Sequence, residues 1–292
     1  GSIAVGDGGR EEILVFLANG SLVGILGGRG EGPGEFRSLA RIAVDGADTI
    51  VAWESDRSRA TLFSSSGAVR TRPGLPGGRV PGGAERWVVS PGGTAFVMQV
   101  DQGSAVPPSG AVRPERFLGR FDPHGKLDSL AVFRGREVVY VNVADGLPMP
   151  TSTLFAPNTE MAGGGLPWRF AVGDGAAAVF EVRDQAGSLV RRVSWVAGER
   201  RLSESDVTAM RSFRIEEGTR MRQALAEERV RALPTPSVAP VYRSLFVDDL
   251  NCVWVERFPF HGVTEGTWAV FDSVGAWLGE VRLPDRGKPL QI

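Results

Sequence analysis

One cysteine, Cys252, stands in the 292 residues. That excludes an intrachain disulfide and any zinc site built on several thiolates. Histidine is almost as scarce: His124 in "DPHG" and His261 in "FPFHG" share no spacing. A histidine-based zinc centre and a Ser-His-Asp set therefore have little to stand on. No G-x-S-x-G turn is present. Lysine is confined to Lys126 and Lys288, every other basic residue being arginine. With Ala, Gly, Val and Pro abundant, this is the composition of a GC-rich bacterial gene. The net charge of −1 and the lack of a basic block argue against nucleic acid or an anionic membrane as the main partner. The longest apolar stretch, "ILVFLANGSLVGIL", is broken at Asn19-Gly20-Ser21, so no transmembrane span is expected. No signal peptide opens the sequence, as would also hold for a mature or trimmed chain.

Glycine and proline are plentiful, at 39 and 19 residues, and 42% of the chain is hydrophobic. These values point to a turn-rich β protein with a sizeable core. One short pattern recurs: an aromatic residue closing an apolar run, three small or polar residues, a glycine, then another apolar run. It reads Phe16-LAN-Gly20, Phe63-SSS-Gly67, Phe121-DPH-Gly125 and Phe271-DSV-Gly275, with Arg183-DQA-Gly187 as a weaker copy. Each copy has the pattern of a β-hairpin whose glycine supplies positive φ at the end of the turn. Asp122, Asp184 and Asp272 are placed to bond turn N–H groups. A second hairpin precedes the turn in "RIAVDGADTIVAWE", "ERWVVSPGGTAFVM" and "SLFVDDLNCVWVE", the last turning near Asn251. Two consecutive hairpins make a four-stranded meander, and repeated meanders are β-propeller blades.

"GGRGEGPGEF" followed by "IAVDGADTIVAWESDRSRATLFSSSG" resembles the NHL-repeat propellers. The matching residues are the glycine-rich segment, then Glu54, Arg59 and Phe63; the first copy keeps Asp7 and Phe16 but has Glu12 in place of the arginine. The end, "LFVDDLNCVWVERF…WAVFDSVGAWLGEVRLP", is similar to the last complete blade of bacterial six-bladed propellers. The likeness is strongest at 1–71 and 241–284 and weak through 136–200. It implies an all-β fold, one propeller domain over 1–292. Five blades of four antiparallel strands are recognisable, the first lacking its inner strand, and six are expected in a ring completed by chain beyond truncated ends; a five-bladed ring is the alternative. The glycine-rich segment lacks the lysine and following helix of a P-loop and reads as a linker between blades.

Three segments interrupt the meander: 99–114, 143–167 and a helical insertion at 203–233. Ser203 or Ser205 is a candidate helix cap, and Gly218 a break. Met210, Phe213 and Met221 are expected to be buried against the blades; a lid or docking role is the alternative.

Chemistry is sparse. Asp7, Glu54 and Glu256 follow the second strand of their blades and should share one face. Turned to the axis they would hold calcium, as in some propeller hydrolases; paired with arginines such as Arg59 they would be structural, as in NHL-like blades. Trp53 and Trp254 occupy related places and would line a mouth for a sugar or peptide. Cys252, in the apolar strand "CVWV", reads as a packed thiol. The candidate binding set is thus Asp7, Trp53, Glu54, Arg59, Trp254 and Glu256, with no catalytic residue and no cofactor other than calcium. The resemblance implies an exported, non-enzymatic module at the periplasm, cell surface or medium that binds a protein, peptide or glycan. A calcium-dependent hydrolase or lyase of the lactonase type, and a structural subunit of a surface assembly, are the alternatives.

Overall fold

Four glycines of the repeat, Gly20, Gly67, Gly187 and Gly275, adopt φ between 83° and 87°. A side chain there would strain the backbone, and the chain reverses at each of them. The aspartates of the same turns act as the pattern requires. Asp184 Oδ1 accepts from the N–H of Ala186 and Ser188, at 2.9 and 2.8 Å. Asp272 Oδ1 accepts from Val274 and Ala276 at the same two distances. In the preceding hairpin Asn251 takes φ 63°, and Asp248 Oδ1 accepts from Leu250 and Cys252.

The structure is a computed structural model that describes residues 2–44, 48–54, 59–72, 86–90, 94–100, 110–121, 126–141, 149–218, 223–260 and 265–284. Among them, strands form six sheets. The first holds β1 (Ser2–Asp7), β2 (Glu12–Leu17) and β3 (Leu22–Gly27). The second runs β4 (Leu39–Val44), β5 (Ile50–Glu54), β6 (Ala60–Phe63) and β7 (Val69–Arg72). The third has β8 (Arg86–Val89), β9 (Ala95–Val100), β11 (Glu115–Phe121) and β12 (Leu127–Arg134). Between β9 and β11 the chain leaves to form β10 (Ala111–Val112), which joins β13 (Val138–Val141) and β14 (Met149–Ser152) in the fourth. The fifth is β15 (Thr159–Gly164), β16 (Arg169–Asp174), β17 (Val179–Asp184) and β18 (Leu189–Ser194). After α1 (Glu204–Gly218) and α2 (Gln223–Arg231) comes the sixth: β19 (Tyr242–Val247), β20 (Val253–Arg257), β21 (Gly266–Phe271) and β22 (Trp277–Leu283). The second, fifth and sixth are antiparallel meanders in chain order, the blade unit of a propeller.

The chain divides into two compact units, Gly1–Gln99 with Phe117–Ala131, and Val100–Arg116 with Val132–Ile292. In the first, Ile13, Phe36, Leu39, Ile50, Ala52 and Phe63 form a core in which Phe36 meets Phe63 edge-on at 5.9 Å. In the second, Phe180, Val182, Tyr242, Val255 and Phe271 pack between the fifth and sixth sheets. Trp195 adds its ring, 5.1 Å from that of Phe271.

The glycine-rich segment links β3 to β4. Gly27 and Gly34 adopt φ 89° and 83°, Gly28 N–H donates to Glu11 O at 2.8 Å, and Phe36 N–H returns to Gly28 O at 2.8 Å. The loop thereby folds back on itself and drives Phe36 into the core with no exposed surface.

Several expectations change. The weak region 136–200 contains the complete β15–β18 sheet; of the segment 143–167, read as an insertion, residues 149–167 contribute β14 and β15, whereas 143–148 lie outside the described residues. Of 99–114, Gln99 and Val100 end β9 and Ala111–Val112 form β10, whereas 101–109 lie outside the described residues. The helical insertion is present, and α1 stops at Gly218. Ser203 caps it: its Oγ accepts from Asp206 N–H at 3.2 Å, and Asp206 Oδ2 accepts from Ser203 N–H at 2.9 Å. Met210 packs against a cluster of Leu154, Phe155, Val230 and Leu233. Phe213 is 38% exposed rather than buried. Met221, His124, His261 and the turn from Asp122 to Gly125 lie outside the described residues.

Truncating Phe36 to alanine is expected to cost about 3–5 kcal/mol, read from the urea midpoint. A Cβ at Gly27 would overlap the Phe36 ring, whereas one at Gly20 meets nothing within 4 Å. Gly27→Ala is therefore expected to destabilise clearly more than Gly20→Ala, although both residues have positive φ.

Candidate functional site

Glu54 closes β5, Asp174 closes β16, Asp7 closes β1 and Glu256 stands one residue before the end of β20. Each lies at the corresponding end of its own sheet. Where such a carboxylate is buried, as Glu54 and Glu256 are, its charge demands a partner. Glu54 is 3% exposed. Its Oε1 accepts from Arg37 N–H at 2.7 Å and its Oε2 from Arg59 Nε, while Arg59 Nη2 reaches on to Glu35 O at 2.6 Å. Asp174 is held by both Nη atoms of Arg113, at 2.8 and 2.9 Å. Glu256, 1% exposed, accepts from Arg243 Nη2 at 2.5 Å. Asp7 instead closes its own turn, accepting from Gly9 and Arg10 N–H at 2.9 and 3.1 Å.

The structure thus brings Glu54 and Arg59 together and gives each of the other carboxylates a different partner. Trp53 is 8% exposed. Trp254 shares a face of β20 with Glu256, and its indole N–H donates to Asp248 Oδ2 at 2.9 Å, which fixes the ring to the neighbouring turn. Glu11 was absent from the sequence-derived set. It is buried at φ 62°, with Oε2 accepting from Leu39 N–H at 2.5 Å. Among the described residues no group of three or more His, Cys, Asp or Glu is arranged to hold a metal ion. Cys252 is half-buried, and burial, reinforced by Asp248, pushes its thiol up to about 11.

A different feature of the second unit has open surface. The segment leaving β18, the residues leading into β19 and those following β20 converge on a cleft of about 80 Å³. Its aromatic walls are Trp195, Phe258 and Phe260, and its polar side chains are Glu199, Arg200 and Arg257. Backbone bonds hold the three segments: Trp195 N–H to Ala178 O at 3.1 Å, Ala239 N–H to Arg200 O at 2.8 Å, and Phe258 N–H to Val241 O at 3.2 Å. Trp195 packs on Tyr242 at 6.0 Å and Phe258 on Phe155 at 6.0 Å. Phe258 and Phe260 also pack against the cluster that α1 and α2 cover, so the helical insertion supports one wall. The three aromatic residues are only partly buried. Sequence reading saw "FPF" only as the setting of His261. The signal available was an arginine and two phenylalanines crowded just past a strand.

No protein-family model matches the chain, and no curated protein matches it in sequence. Among solved structures it is similar to a member of the DUF4221 family from Bacteroides vulgatus, at 13% identity and TM-score 0.54, over 97% of this chain and 78% of that one. Virginiamycin B lyase from Staphylococcus aureus aligns at 8% identity and TM-score 0.42, over 99% and 82%. A gluconolactonase from Xanthomonas campestris aligns at 15% identity and TM-score 0.43, over 98% and 73%. The first of these carries the fold: the chain is all-β, of propeller type.

Glu54→Gln leaves Arg59, whose side chain is 16% exposed, without its counter-charge. A loss of roughly 3 kcal/mol in unfolding free energy is expected, against less than about 1 for Asp7→Asn. For Cys252, pH 8 lies below the thiol's pKa, so only about a thousandth is thiolate. Cys252 lies in the turn before β20, half-buried rather than packed within the strand, so alkylation should be slow at pH 8 and accelerate up to about pH 11; a fast reaction at pH 8 would contradict the raised pKa.

Proposed function

We propose that this protein is the binding module of an exported bacterial protein, an NHL-like propeller without catalytic activity that takes a protein, peptide or glycan. The ligand is received in the cleft of the second unit, at the strand ends where Asp174 and Glu256 of that unit sit. The carrying observation is a contrast between two kinds of residue. Glu54, Asp174 and Glu256 are engaged by Arg59, Arg113 and Arg243 and serve the scaffold. Trp195, Phe258 and Phe260 retain open surface beside Arg200 and Arg257. A rigid sheet scaffold with partly exposed aromatic and arginine side chains has the composition of a recognition surface. The pairing of Glu54 with Arg59, five residues apart, supports the NHL-like part of the reading.

Peptide and glycan arrays probed with the purified chain test the proposal. Binding is expected, weakened at least tenfold by Phe260→Ala. Calcium at millimolar concentration is expected to shift the melting temperature by less than about 1 °C, since a bound ion would stabilise the native state by mass action. Saturable calcium stabilisation of several degrees, together with lactone hydrolysis, would overturn the binding reading in favour of an enzyme.

A further inference from the structure

We infer that the cleft takes an extended peptide segment in which an Asp or Glu side chain stands beside a large apolar residue; this rests on the binding reading above and names the ligand class. Charge comes first. Among the described residues, five ionic side chains line or adjoin the cleft: Glu199, Arg200, Arg201, Arg257 and Glu280. Arg201 faces Glu199 at 3.9 Å, and Arg257 is paired with Glu280. Arg200 remains, half-buried, with Nη1 donating to Ala239 O at 2.5 Å. Among the described residues no carboxylate is paired with it, so the cleft carries one positive charge in excess. A guanidinium has five N–H donors in a fixed fork that matches a carboxylate, and partial burial strengthens the attraction.

The rest of the lining selects what accompanies that carboxylate. Apart from Glu199, Arg200 and Arg257, it consists of Trp, Phe, Val, Ala, Pro and Gly. Among the described residues it offers no amide or hydroxyl side chain, the groups that would satisfy a ring of sugar hydroxyls. It does offer three aromatic faces to an apolar side chain, in a volume suited to one such group. Val196, 95% exposed next to Trp195, extends the apolar surface beyond the cleft toward a neighbouring residue of the same peptide. One carboxylate and one apolar anchor on an extended backbone satisfy both features.

The test uses the full chain and two capped hexapeptides, acetyl-Gly-Ser-Phe-Asp-Ser-Gly-amide and its Asn counterpart, with fluorescence anisotropy and indole NMR shifts as readouts. Capping removes terminal carboxylates. The Asp peptide should bind at least tenfold tighter, the loss expected for one charge-assisted hydrogen bond. Arg200→Gln should reduce that preference below twofold, and Phe260→Ala should weaken both peptides equally. Because Arg200 also bonds the Ala239 carbonyl, Arg257→Gln serves as a second variant. Its guanidinium is 56% exposed, and it should lower the preference two- to threefold without loss of fold. Equal affinity for the two peptides overturns the inference, as does binding indifferent to all three substitutions, although a ligand bound elsewhere leaves the module reading intact. Binding only of an uncapped neutral peptide, or only of a glycan lost in Phe260→Ala, overturns the side-chain acid while retaining the cleft. Failure of every array peptide and glycan to bind removes the module reading itself.

Discussion

A carboxylate wholly or partly withdrawn from water at the end of a strand needs a partner where it stands, and at three such positions in this protein an arginine supplies it. Glu54 with Arg59, Asp174 with Arg113 and Glu256 with Arg243 repeat one solution on three sheets. The pairs differ in where the arginine comes from: the loop after the same strand, the short β10 region, and the bulge in β19. What is repeated is the need for a guanidinium, whose fork matches a carboxylate and remains charged at any working pH. The pairs also tie loops to sheets, since Arg59 goes on to the Glu35 carbonyl and Arg113 to those of Arg134 and Gly135.

On the proposed reading, that commitment separates scaffold from recognition surface. The aromatic groups past β18 and β20 are held from behind, by Tyr242 and Phe271 under Trp195 and by Phe155 under Phe258, with their outer faces left partly open. The helical insertion takes part in this support. It packs behind Phe258 and Phe260, and Arg214 reaches across to the Ser152 carbonyl at 3.3 Å.

How much was legible in the chain depends on sequence distance. The hairpins were readable because glycine at positive φ and a turn aspartate sit within five residues of each other, as at Asp272 and Gly275. Glu54 and Arg59 were readable for the same reason. Arg113 and Asp174 are 61 residues apart, and nothing local marks them as partners. The two-residue β10 carries no periodicity, and β14 and β15 lie in a stretch rich in Pro, Thr and Gly that reads as loop. The cleft escaped because three separated segments build it, each unremarkable alone. Phe213 was expected inside from helical spacing, but spacing defines a face and does not say how far the covered surface extends.

The central claim is that these carboxylate–guanidinium pairs are structural. A double-mutant cycle on Glu54 and Arg59, with each converted to glutamine singly and together and unfolding followed in urea, measures it directly. A coupling energy of roughly 2 kcal/mol or more is predicted, with the double variant more stable than the sum of the single losses implies. A coupling below about 0.5 kcal/mol would show two side chains that stand close without depending on each other, and would contradict the account.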